Sequence, residues 1–156
     1  MNKNKQILLL LGKAKKLARK YYELTSKPLG VTGEVAEYEA ARILGIQLTP
    51  ARQAGYDAIE ITGKFKKKLQ IKGRCLQKNP KPGQRLGPIK IDKDWDAVLM
   101  VLLDYKFEET EIYEAKRSVI IAALAEPGSK MRNERGALGV SKFKSIGILR
   151  WKKSAA

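Results

Sequence analysis

Gly55-Tyr56-Asp57-Ala58-Ile59-Glu60-Ile61-Thr62-Gly63-Lys64-Phe65-Lys66-Lys67-Lys68-Leu69-Gln70-Ile71-Lys72-Gly73 reads as two short strands joined by one turn. Ile59 to Ile61 and Phe65 to Ile71 alternate as strands do, and Thr62-Gly63-Lys64-Phe65 supplies a two-residue hairpin loop whose first position, glycine, needs positive φ. In such a hairpin the numbers of opposed residues sum to one constant. Pairing Thr62 with Phe65 sets Ile61 against Lys66, Ile59 against Lys68 and Asp57 against Gln70, with Lys72 following on that face. Opposed Cβ atoms lie roughly 5 Å apart and a hard cation takes oxygen ligands at about 2.1 Å, so Asp57 and Gln70 are able to share one magnesium ion. A slip of one residue would destroy the arrangement.

A chain of 156 residues, 44% of them hydrophobic, suits one domain with a real core. Its 32 Lys and Arg against 16 Asp and Glu leave +16, an excess that makes nucleic acid the leading partner and a membrane surface a poor one. The competing explanation is a well-solvated basic protein without a specific ligand. Histidine is absent, which removes imidazole general bases, Ser-His-Asp triads and the usual zinc sites. Catalysis then rests on carboxylates, lysine and a hard metal. Cys75 is the single cysteine and reads as a small packing residue of a reducing compartment, since no imidazole can activate it. Ile7 to Leu11 resembles a signal segment but is too short, and lysines follow at once. The expectation is a soluble cytoplasmic protein without a small-molecule cofactor.

Along the chain, Leu10, Leu11, Ala14, Leu17, Ala18 and Tyr21 recur at helical spacing among lysines. Residues 1–28 therefore read as a basic amphipathic helix packed on the core formed by 29–156, its charged side either solvated or facing phosphate. Thr32 is the expected N-cap of a second helix that ends near Leu44-Gly45. In that helix Glu37, Ala41 and Leu44 share a stripe, so Glu37 is expected to turn inward, where a metal or Lys72 would partner it. The alternatives are an edge position paired with a surface lysine, or substitution by Glu34 one turn earlier. Asp57 alone reads equally as a strand-edge aspartate, and Lys68, Gln70, Lys72 and Arg74 as one solvated face. Lys78 to Arg85 reads as a mobile basic loop. Asp96 to Leu103 is an apolar run suited to a central strand covered on both faces. Thr110 to Tyr113 offers a further strand, and Arg117 to Ala125 a helix ended by Pro127-Gly128. Ser129 to Lys153 is poorly periodic, with strand-like Ala137–Val140 and Ile146–Leu149 that periodicity does not place.

A helix with Gly33-x-x-x-Glu37, a strand with Asp57, a strand with Gln70-x-Lys72, a long apolar strand and a helix together resemble the PD-(D/E)xK nuclease superfamily. The resemblance covers roughly Gly30 to Glu126. It implies an α/β restriction-endonuclease-like fold: an αβββαβ core with a mixed central sheet flanked by helices, here with an extra N-terminal helix. Glu37 matches the helix glutamate of archaeal Holliday-junction resolvases, Asp57 the metal-binding aspartate and Lys72 the catalytic lysine; Gln70 replaces the second acid, as in Mrr-like restriction enzymes. Tyr56 stands where the name-giving proline would be. The runs Gly33 to Ala41 and Gln70 to Arg74 also look like an uncharacterised prokaryotic family assigned to this superfamily.

The resemblance implies a metal-dependent DNA endonuclease. Asp57, Glu37, the Gln70 side-chain oxygen and the Ile71 carbonyl would hold Mg2+ or Mn2+, Lys72 would orient or deprotonate the attacking water, and Arg74, Lys78, Lys81 and Arg85 would neutralise neighbouring DNA phosphates. By analogy with nucleases that cut both strands, a homodimer is expected. The neutral Gln70 is a poorer ligand than a carboxylate, which keeps open a catalytically weak or inactive nucleic-acid-binding protein on the same scaffold. A basic assembly factor preferring RNA is the third alternative.

Overall fold

The computed structural model describes residues 2–50, 55–128 and 136–155. Within them the chain is mixed α/β: four helices and a six-stranded, mostly antiparallel sheet. The elements are α1 (Lys3–Thr25), α2 (Thr32–Leu44), β1 (Gln47–Leu48), β2 (Ala58–Thr62), β3 (Phe65–Cys75), β4 (Ala97–Leu103), β5 (Glu109–Lys116), α3 (Arg117–Ala125), α4 (Val140–Ile146) and β6 (Ile148–Lys152). The strands lie side by side in chain order, and only β3 and β4 run parallel.

β4 is buried at every position, as an apolar run flanked by strands and covered on both faces must be. Leu99, Val101 and Leu103 face α1 and α2, whereas Val98, Met100 and Leu102 face a second layer built from α3, α4 and the 76–96 connection. A parallel pair needs a crossover, and here it has no helix. Leu86, Ile89 and Trp95 bury themselves instead and hold that stretch against the sheet. Backbone bonds from Leu86 to Leu138, Ile89 to Gly136 and Val140 to Gln84 strap it to the C-terminal segment. The expected mobile loop is therefore pinned from Gln84 onward, leaving 77–83 exposed.

Three other expectations are corrected. On α1 the buried line is Ala18, with Ile7, Leu11, Ala14 and Tyr22 half-buried beside it, while Leu10 and Leu17 are 63% and 62% exposed. The face is turned because Lys15 is drawn in by Glu39 and Glu109 at 2.8 and 3.3 Å. On α2 the N-cap is Val31 without a side-chain bond, and Thr32 opens the helix. Its inward residues are Val35, Ala36, Glu39 and Ala40; Glu37 and Ala41 lie half-buried on the flank. The buried carboxylate of α2 is thus Glu39. At the C-terminus, Gly139 makes a single bridge to Arg85, Val140 starts α4 with Phe143 buried one turn on, and β6 forms the sheet edge. Residues 129–135 lie outside the described residues. No helix among the described residues is long and apolar enough to cross a membrane.

Candidate active site

The hairpin forms in the expected register, Thr62 against Phe65, Ile61 against Lys66, Ile59 against Lys68 and Ala58 against Leu69. Gly63 turns it with φ +61 while Lys64 does not adopt positive φ, the glycine-first pattern. The ladder stops one pair short of Asp57 and Gln70. The Asp57 carbonyl is taken instead by the Thr49 N–H and hydroxyl at 2.9 and 3.1 Å, while its own N–H still donates to Leu69 O on β3. β3 then runs on from Gln70 to Cys75 with β4 alone beside it. A strand edge exposed in this way needs acceptors for its N–H groups. Asp57 Oδ2 provides one, accepting from Ile71 N–H at 2.7 Å.

The cleft where β2 leaves β3 therefore has the Asp57 carboxylate on its floor. Leu69 and Ile71 point toward α2, so Gln70 and Lys72 alternate to the other face. Gln70 is 5% exposed; its Nε2 donates to Gly55 O at 3.2 Å, and its Oε1 is buried without a hydrogen-bond partner among the described residues. An orphaned acceptor of this kind costs about 1–3 kcal/mol.

Glu37 enters from α2, whose height over β3 is fixed by one contact. A Cβ on Gly73 would fall 2.6 Å from Ala36 Cβ and 3.0 Å from Thr32 O, so only glycine lets the helix approach this closely. Burial, then the Asp57 charge and then Glu34, push the Glu37 carboxyl up to about 7, with Lys72 opposing them. Lys72 is lowered from its ordinary value, chiefly by burial and also by Lys90, while Asp57 and Glu37 pull it back. Lys90, on the crossover between buried Ile89 and Trp95, is a neighbour of the site that the sequence motifs did not reveal. Its only advance sign was position: a lysine between two apolar anchors on a chain returning to the sheet.

Glu37, Asp57 and Lys72 thus lie within electrostatic reach of one another around the point where β2 leaves β3, Ile71 joins Asp57 through its N–H, and Gln70 stands on the Lys72 face of β3. Among the described residues no group of three or more His, Cys, Asp and Glu side chains could hold a metal ion. The donor types are those a hard divalent cation takes: two carboxylates, of which Glu37 is held back from ionising by burial and the Asp57 charge, and an amide oxygen with nothing to accept from among the described residues.

Of the expected phosphate contacts, Arg74 is engaged with the Gln84 side chain and Arg85 Nη1 donates to Ala137 O at 2.6 Å, so both brace the crossover. Lys78 sits 5.9 Å from the Tyr105 ring centre, and Lys81 is exposed. Cys75 donates its thiol to Asp104 O at 3.1 Å, and burial pushes the thiol up to about 11, away from nucleophilic use.

The raised Glu37 carboxyl makes stability pH-dependent. Below the usual carboxylate range the group is neutral folded and unfolded, and its contribution is complete; as pH rises through about 7 the folded chain must charge it and stability is lost. Glu37→Gln, neutral throughout, is expected to raise the metal-free melting temperature at pH 8 and leave it nearly unchanged at pH 4. Thermal denaturation at the two pH values checks this; equal shifts at both would refute it.

A search of protein-family models finds none that matches the chain, and no curated protein is significantly similar to it.

Proposed function

We propose that the protein is a metal-dependent DNA endonuclease of the PD-(D/E)xK type, with the restriction-endonuclease-like fold. The observation that carries this reading is that Glu37, Asp57 and Lys72 act on one another electrostatically where β2 leaves β3, next to a strand position, Gln70, whose buried Oε1 has no partner among the described residues. Glu37, Asp57 and Gln70 would hold Mg2+ or Mn2+, which when bound lowers the pKa of a water and stabilises negative charge on a phosphorane. Asp57 is fixed for this by the Ile71 N–H, and Gln70 by Gly55 O. Lys72, its pKa lowered by burial, is suited to take the proton from the attacking water at Nζ or to hold that water in line. Lys90 adds a second positive charge near Lys72, where a phosphate would lie.

The expected result is nicking of supercoiled plasmid with Mg2+ or Mn2+ and none with EDTA. Cleavage that survives chelation would overturn the metal-dependent mechanism. A second reading, a nucleic-acid-binding protein that does not cleave, is favoured by the neutral Gln70 and by the absence of a three-acid cluster among the described residues. It predicts salt-sensitive DNA binding and intact plasmid under every metal condition.

A further inference from the structure

The tip of the β2–β3 hairpin, Ile61 to Lys66, is exposed at every position. Phe65, opposite Thr62, projects from one face and is 81% exposed; Ile61, opposite Lys66, projects from the other and is 51% exposed. Such apolar side chains at a hairpin tip are not used by the core. Lys67 and Lys68 nearer the sheet are taken by Glu60, Glu114 and Asp94, whereas Lys64 and Lys66 pair with no acid among the described residues. The tip therefore offers apolar surface on both sides with free positive charge around it. A second copy, itself +16, would meet like charge there. A polyanion with stackable apolar surfaces is the complementary partner.

We infer that this tip is a wedge for duplex DNA: Phe65 stacks on a base at an unstacked step, while Lys64 and Lys66 contact the flanking phosphates. The inference rests on DNA being the partner, as proposed above, and adds where and how the duplex is read. Phe65 stands seven residues from Lys72 on β3, about 23 Å at strand rise, or roughly seven base pairs along a duplex. The hairpin would act as a ruler. It places the distortion about two-thirds of a helical turn from the cleft.

The test is binding in EDTA, measured by fluorescence anisotropy over a salt series, on a 30-base-pair duplex with and without a central two-nucleotide bulge. The wild-type chain is expected to prefer the bulged duplex. Phe65→Ala should lose about tenfold in affinity for it and abolish the preference, with the salt slope unchanged. Lys64→Ala and Lys66→Ala should each reduce the slope by about 1 while keeping the preference. Wild-type affinity and preference in Phe65→Ala would overturn the wedge, as would the same Phe65-dependent binding favouring duplex RNA, or dissociation of a dimer by Phe65→Ala in sedimentation. Chelator makes the outcome independent of cleavage: a chain that never nicks yet shows this Phe65 dependence retires the nuclease reading and keeps the wedge.

Discussion

Lys72→Ala is expected to lower Mg2+-dependent nicking by about 10²–10⁴-fold, the range for loss of a positioned proton acceptor, with DNA affinity close to that of the wild type. The half-buried Lys72 ammonium is destabilised by burial, with Asp57 and Glu37 opposing that shift. On the proposed mechanism its loss would remove proton transfer and leave the surface lysines, which would supply most of the affinity. Single-turnover cleavage, together with anisotropy in EDTA, separates the two effects. Lys72→Arg is expected not to rescue, because guanidinium stays protonated and does not accept a proton at neutral pH. Cleavage at the wild-type rate by either variant would sink the assignment.

The second large effect lies outside the cleft. Glu39 is buried at 7% exposure, with Lys15 Nζ at 2.8 Å from Oε1 and Arg42 Nε at 2.8 Å from Oε2; Glu109 receives both cations again, at 3.3 and 2.9 Å. Burial alone would raise the Glu39 carboxyl, but the bonds from Lys15 and Arg42 outweigh it and hold it below the usual range. Its stabilising contribution is therefore present at neutral pH and lost as pH falls through the acid range. Breaking a buried pair costs about 3–5 kcal/mol. Because Arg42 is half exposed and Lys15 keeps Glu108 and Glu109, Glu39→Ala is expected nearer 2–3 kcal/mol, about 5–10 °C in melting temperature. The double variant Lys15→Met/Glu39→Ala should recover part of that loss, since no ammonium is left short of a partner. A double variant as unstable as the single one would assign the effect to packing.

Glu39 also shows where sequence periodicity stops. The hairpin register, β4 and the bounds of α3 were legible because each rests on local chemistry: a glycine-first turn, an unbroken apolar run, a Pro-Gly stop. Which carboxylate of α2 turned inward was not legible. Glu37 and Glu39 both sit near the apolar stripe, and the choice was made by Lys15, 24 residues away, and by Glu109, 70 residues away. The same distant partners rotated α1 so that Leu10 and Leu17 faced outward. Near the site the hairpin register that leads to Asp57 was legible from spacing, but the departure of Asp57 from the ladder depended on Thr49, and Lys90 lies on a crossover of which only Lys78 to Arg85 was read, as a mobile loop.

The helix-free crossover also governs the order in which the chain is finished. Its straps join Gln84, Leu86 and Ile89 to partners at 136–140, about fifty residues later, so the layer over Gln70 and Lys72 needs contacts of long sequence separation. Contacts of long separation close slowly, and during synthesis these wait for residues 136–140 to emerge. The β2–β3 hairpin and the packing of α2 on β3 use only residues that emerge well before that. A chain synthesised short of residue 136 therefore has Asp57 and Lys72 in place along β3 while the wall behind them is still missing, and closing that layer waits on residues 136–140.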